Sequence, residues 1–224
     1  MTEQVLTPEA ESKHYPATYA EYLAYPQTTQ LVEWVNGEMI EHMPPTIIHQ
    51  DLASYLTTLL RLFADFFALG KVVSAPTEMK CRTDGNSREP DVMFIATTNL
   101  SRLQNEKRIE GPADLVIEIV SDDSVARDLD EKFAEYQECG VQEYWIIDPR
   151  PRRKRAWFYQ RDDGNQFDFI KPEADGLYRS RVAPGFWIKV NWLWTLPDAQ
   201  LTFAEVAGFS PSLLAELQAR KRGG

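Results

Sequence analysis

Apolar and polar positions first alternate over residues 30–43, where QLVEWV and EMIEHM flank Asn36-Gly37. Two alternating runs around Asn-Gly predict a β-hairpin, because a type I′ turn needs positive φ at both central residues. Pro44-Pro45 closes that unit, and the period then changes. Over residues 46–69, Ile48, Leu52, Leu56, Leu59, Leu60, Phe63 and Phe67 recur at helical spacing, with Thr46 as cap and Gly70 as stop. Upstream, residues 16–25 predict a short helix and residues 1–15 a loose lead-in.

Beyond the long helix, KVVSAPTEMKC, PDVMFIAT and ADLVIEIVS are strand candidates. The last is almost wholly apolar, as expected of a central strand covered on both faces. Residues 124–139 predict an amphipathic helix ended by Gly140, and VQEYWIID a strand ended by Pro149. RAWFYQRD, QFDFIKP, LYRSRVA and FWIKVNWLW read as shorter strands, with turns at Asp163-Gly164, Asp175-Gly176 and Pro184-Gly185. Residues 197–224 predict a helical tail. The order predicts an α/β (α+β) domain over residues 16–196. It would hold one mixed β-sheet flanked by helices, with an N-terminal hairpin and a β-rich C-terminal part.

Composition adds limits. The 224 residues are 43% hydrophobic and 26% charged, an ordinary globular balance. The N-terminus lacks a basic start and an apolar run, and no stretch is apolar enough to span a bilayer. Only Cys81 and Cys139 are present. That predicts no disulfide framework and no cysteine zinc site, and a reducing, cytoplasmic setting. The net charge of −10 argues against a general nucleic-acid coat protein. A nuclease is compatible with it, since bound cations offset its carboxylates and a local basic surface suffices.

Three residues carry candidate chemistry. Glu118 sits inside LVIEIV, where an ionised carboxylate is costly unless paired, hydrogen-bonded or metal-bound. Alternation puts it on one face with Asp114, Val116 and Val120. Asp91 follows Pro90 at the start of VMFIA, a place where proline is tolerated and an acid can point off the strand end. On a helical wheel Lys132 falls within the stripe of Val125, Leu129, Tyr136 and Cys139, so it needs an anionic partner or a route to water. Two carboxylates, waters and phosphate oxygens are the usual surroundings of Mg²⁺. The metal would polarise a phosphodiester, and Lys132 would orient the water or offset charge on phosphorus. The bland alternatives are a turn-forming Asp91, a Glu118 that reaches solvent at a strand end or joins an internal salt bridge, and a Lys132 that snorkels to water.

The segments LVEWVNGEMIEHMPP, EPDVMFIA, ADLVIEIVSDDS, DLDEKFAEYQECGVQEYWIIDP and LYRSRVAPGFWI occur in one order. Together they resemble the Uma family of restriction endonucleases, abundant in cyanobacteria, within the PD-(D/E)XK nuclease superfamily. The resemblance covers roughly residues 16–194. It implies the superfamily's Pro-Asp at Pro90-Asp91 and its second acid at Glu118. Val120 stands where the superfamily has lysine. The family's Asp-x-x-x-Lys-x-x-x-Tyr segment falls on Asp128, Lys132 and Tyr136, which implies a lysine supplied from the next helix. Glu78-Met79-Lys80 has the Glu-x-Lys spacing but precedes Pro-Asp, and is read as a decoy. Glu33 matches a further acid and is expected to help bind metal; its alternative is a cross-strand charge in the hairpin. His49 also matches the pattern, and is expected to be a hydrogen-bonded core histidine.

Weaker signals remain. Arg150, Arg152, Arg153, Lys154 and Arg155 form one dense basic run, expected as a solvated turn, with phosphate-backbone contact as the alternative. Trp187, Trp192 and Trp194 are expected to pack in a core or dimer interface. The resulting expectation is a Mg²⁺- or Mn²⁺-dependent DNA endonuclease using Asp91, Glu118, Lys132 and Glu33. A homodimer is expected from the need to cut two strands. The competing readings are an inactive nuclease-fold module for DNA binding or assembly, and a plain scaffold.

Overall fold

Asn36-Gly37 turns the chain as its sequence predicts. Both residues have positive φ, 51° and 86°, and they join β2 (Val32–Val35) to β3 (Glu38–Glu41). The computed structural model describes residues 12–26, 30–104, 108–121, 124–125 and 127–222. Most of the expected lead-in, residues 1–11, lies outside these. Its end does not hang loose: β1 (Lys13–Pro16) pairs antiparallel with β3, and α1 (Tyr19–Ala24) follows with a Thr18/Glu21 capping box.

The long helix α2 (Ile47–Phe66) starts where expected, with the Thr46 hydroxyl accepting from the His49 N–H. Gly70 is not its stop. The helix ends at a Phe67 cap, Ala68 takes positive φ, and Gly70 already opens β4 (Gly70–Ser74). A Cβ on Gly70 would lie 2.0 Å from the Ile95 carbonyl oxygen, so glycine is needed for this close strand approach.

The expected strand KVVSAPTEMKC is two strands. Pro76 supplies no ladder N–H, and the chain passes from β4 into β5 (Glu78–Lys80) of a different sheet. After β6 (Ser87–Arg88) come β7 (Val92–Ala96), β8 (Leu103–Gln104) and β9 (Arg108–Glu110). Then follow β10 (Leu115–Ile119), α3 (Lys132–Cys139), β11 (Glu143–Asp148) and β12 (Arg155–Arg161). The C-terminal part holds β13 (Phe167–Phe169), β14 (Leu177–Arg179), β15 (Trp187–Lys189), α4 (Trp192–Thr195), α5 (Ala199–Val206) and α6 (Pro211–Arg222).

The fold is therefore mixed α+β, with more than the one sheet expected. A six-stranded central sheet runs β13-β12-β11-β10-β7-β4, with β10 and β11 parallel. Seven short strands form a second sheet, β1-β3-β2-β6-β5-β9-β8, and β14 pairs with β15. Trp192 and Trp194 lie on α4, not on a strand. Both flank the main core, as does Trp187 on β15. α5 packs against α2, burying Ala204 and Val206.

Two cores hold the central sheet. On one face Leu52, Leu56, Leu59, Leu60 and Phe63 of α2 meet Leu115, Ile117 and Ile119 of β10. On the other, Tyr136 of α3 meets Val116, Val120, Tyr144 and Ile146. Alternation along β10 thus sends Glu118 to the α3 face. A disulfide joins Cys81, just past β5, to Cys139 at the end of α3, with Cα atoms 5.7 Å apart. The expectation of no disulfide framework is corrected to this one bond: residues 58 apart in sequence are paired only by the tertiary fold.

Candidate active site

β10 places Glu118 in the middle of the central sheet, 3% exposed. Its Oε1 accepts from Lys132 Nζ at 2.9 Å and from Tyr136 Oη at 2.7 Å. Lys132 and Tyr136 are one turn apart on α3, so both reach the same oxygen. Lys132 does not snorkel; it is 3% exposed, and Nζ is also 3.5 Å from Glu33 Oε1 and from Asp128 Oδ1. Asp128 precedes it on a π-helical turn, Arg127–Glu131, and accepts a short hydrogen bond from Ser124.

Asp91 sits just before β7, and Val92 pairs with Ile117, so it lies at the level of Glu118 on the neighbouring strand. Its Oδ2 accepts from the Ile119 N–H at 2.7 Å. His49, in the first turn of α2, brings Nε2 to 3.2 Å from the same oxygen. His49 is therefore part of the site and not simply a core histidine.

Glu33 is fully buried behind Lys132. Oε1 accepts from the Glu89 N–H at 3.1 Å; Oε2 faces His42 Nε2 at 3.0 Å and Arg88 Nη1 at 3.2 Å. Arg88 in turn donates to Glu135. The sequence expectation is that Glu33 helps bind metal; here both its oxygens have protein partners and it does not line the cavity. Its place is in an ionic chain, Glu135–Arg88–Glu33–Lys132–Glu118.

The cavity has a volume of about 1170 Å³ and is lined by Asp91, Glu118, Asp128, Lys132, His49 and Arg127, among others. The Arg127 Nε is buried without a hydrogen-bond partner among the described residues. A buried guanidinium nitrogen is usually paired. Asp128 Oδ1 and His49 Nδ1 are likewise without hydrogen bonds there.

Charge is out of balance here. Burial pushes the Glu118 carboxyl up to about 8; Lys132 opposes this, and Asp128, Asp91 and Glu33 add to it. Asp128 is raised for the same first reason. Burial also disfavours charge on Glu33, but Lys132 and Arg88 overcome it and hold that carboxyl well below its usual value. Lys132 would be depressed by burial, yet Glu118, Glu33 and Asp128 keep it firmly protonated. Burial pushes Glu89, on the cavity wall, up to about 8. By contrast Glu143 on β11 is equally buried but saturated. It accepts from Trp145 Nε1, Tyr178 Oη, Ser180 Oγ and the N–H groups of Arg181 and Val182.

These directions set the pH dependence of stability. Glu118 and Glu89 favour the folded state most when protonated, so their contribution is complete below the ordinary value of 4.5 and lost as pH rises towards about 8. The thermal midpoint in EDTA is expected to fall between pH 5.5 and 8.5. Glu118→Gln and Glu89→Gln together are expected to flatten that fall. A midpoint that rises over this range, unchanged in the double variant, would contradict the assignment.

The donor set suits a divalent cation. Among the described residues Glu118 Oε2 and Asp91 Oδ1 make no protein hydrogen bond, and both residues line the cavity. Among the same residues no three His, Cys, Asp or Glu side chains form a ready-made ligand set. Mg²⁺ commonly takes one or two carboxylates and completes its shell with water and phosphate oxygens.

Comparison with known proteins agrees with this architecture. Residues 19–191 match the model of the Uma2 family, described as "Putative restriction endonuclease". The chain belongs to the Uma2 family. A crystal structure from Anabaena variabilis ATCC 29413, described as "a putative nuclease belonging to DUF820", superposes with a TM-score of 0.65 at 19% identity. The match covers 80% of this chain and 98% of that one, so the two share a fold. No curated protein matches. The Uma2 match spans the hairpin, Pro90-Asp91, Glu118 and Lys132. It therefore includes every residue that the sequence singled out for chemistry. Sequence reasoning missed Asp128 as a wall of the cavity, and also Arg127, Arg88 and His42. Of these only Asp128 carried a signal, being one helical turn before Lys132. Among the described residues no helix is long and apolar enough to cross a membrane.

Proposed function

We propose that this Uma2 protein is a Mg²⁺- or Mn²⁺-dependent endonuclease that hydrolyses phosphodiester bonds of DNA. The observation that supports it best is the pair Asp91 and Glu118. Each has one oxygen fixed by protein donors, and both residues line a shared cavity. A divalent cation held by these two acids would polarise the phosphodiester and lower the pKa of a bound water.

The chain's own groups would do the rest. Lys132, permanently charged, would offset charge developing on phosphorus. Tyr136 and Lys132 fix the Glu118 carboxylate, while the Ile119 N–H and His49 fix Asp91. Glu33 positions Lys132 and does not touch substrate. Arg127, whose buried Nε has no partner among the described residues, would bind a non-bridging phosphate oxygen. One site cuts one strand, so double-strand cleavage would require a second copy of the chain.

Purified protein is expected to nick supercoiled DNA in Mg²⁺ or Mn²⁺ and not in EDTA. Arg127→Ala is expected to raise KM more than it lowers kcat, since it removes binding shared by ground and transition states. Cleavage of RNA but not DNA would overturn the substrate; activity undiminished in EDTA would overturn the metal.

A further inference from the structure

The basic run Arg152, Arg153, Lys154 and Arg155 is not used by the chemistry above, and the fold gives it a specific place. β11 is parallel to β10, with Ile147 opposite Ile119. The turn after Asp148 therefore leaves the sheet at the end where Asp91 and Glu118 sit. Neighbouring strands are about 4.8 Å apart, so β12, where the turn lands, is about 10 Å from β10. A DNA strand advances about 3.4 Å per base pair. A duplex in the cavity would bring its backbone over the turn within about three base pairs.

The turn is built to hold its cations outward. Arg150 is clamped on Asp148 by two hydrogen bonds, Nε to Oδ1 at 2.9 Å and Nη2 to Oδ2 at 2.8 Å. Beyond that root Arg152, Arg153, Lys154 and Arg155 are exposed, and none forms a close ion pair among the described residues, although Arg153 acts on Asp148 at longer range. Several exposed cations elsewhere are paired, such as Arg179 with Glu173, Lys189 with Glu205 and Arg220 with Glu216; the turn is distinct in grouping four exposed cations in consecutive positions. Arg152 and Lys154 also adopt positive φ, 68° and 37°, where glycine or asparagine is usual. Residues held in sparsely populated backbone regions cluster at functional sites. A chain of net charge −10 also needs a local positive surface to hold a polyanion beside an acidic cavity.

The geometry points to this β11–β12 turn as a binding site for the sugar-phosphate backbone of duplex DNA, flanking the cavity. The inference rests on the reading of the cavity as a nuclease site. It names the surface that carries the substrate's non-scissile phosphates.

Binding of a fluorescein-labelled 30-base-pair duplex by the full chain in EDTA tests it without cleavage. The turn variant is Arg152→Gln/Arg153→Gln/Lys154→Gln. A control, Arg179→Gln/Lys189→Gln/Arg220→Gln, removes the same charge from other exposed sites. The turn variant is expected to bind about tenfold more weakly near 0.1 M salt, with the slope of log K against log salt reduced by about 2–3. The control is expected to change little, and both are expected to keep the wild-type thermal midpoint. Equal losses in the two variants, or none in the turn variant, would overturn the turn's role while leaving the nuclease reading intact. Wild-type protein that neither binds nor nicks DNA would overturn both.

Discussion

Glu118→Gln and Asp91→Asn are each expected to abolish metal-dependent nicking, by about 10³-fold or more. Both changes keep shape and most hydrogen bonds. In Glu118→Gln the new amide carbonyl still accepts from Lys132 and Tyr136, and in Asp91→Asn it still accepts from the Ile119 N–H. Each removes one negative charge from the cavity and one oxygen suited to a hard cation. Neither should unfold the protein. Glu118→Gln should stabilise the metal-free form at pH 8, because burial already pushes that carboxyl up to about 8. Rates would be compared on supercoiled plasmid with variants purified in parallel. Undiminished cleavage by both would mean that the cavity is not the hydrolytic site.

The second large effect is on stability. Lys132→Met alone is expected to cost about 3–5 kcal/mol, because it leaves buried anions without their cation. Glu118, Glu33 and Asp128 all face that ammonium. Adding Glu118→Gln is expected to restore most of the loss, since Glu33 keeps Arg88 and His42 and Asp128 keeps Ser124. Urea unfolding in EDTA would measure both. If the single and double variants were equally unstable, the ionic chain would not be what Lys132 supports. The same double variant separates a scaffold from an enzyme: stability returns in both cases, but activity is lost only in an enzyme.

Glu118, Asp91 and Lys132 stood out in the sequence for local reasons. Glu118 was an acid in an otherwise apolar run, Asp91 followed a proline at a strand start, and Lys132 fell on the apolar side of its helix. Their meeting depends on the register of β7 with β10 and on α3 packing over β10, which no local pattern encodes. The main helix, the hairpin and the central strands were legible because their periods are distinct. The rest of the second sheet was not, since β5, β6, β8 and β9 are two or three residues long, too short to show alternation. His49 reads from the sequence as a hydrogen-bonded core histidine because Asp91, its partner, is distant in sequence. Arg127 gave no signal: a guanidinium nitrogen without a partner is recognised only once its surroundings are known. Glu33 is expected from the sequence to help bind metal, and the structure places it behind Lys132 instead of on the cavity wall. A hairpin acid reads as surface charge or ligand, and only burial behind Lys132 shows it as the counterion.

The most direct measurement is a crystal of the wild-type protein soaked in Mn²⁺, with the ion located by its anomalous scattering. The account predicts an ion in the cavity touching a carboxylate oxygen of Asp91 and one of Glu118, and no such ion in the Glu118→Gln variant. Mn²⁺ bound elsewhere, or a wild-type cavity whose two acids share no ion at pH 8, would contradict it.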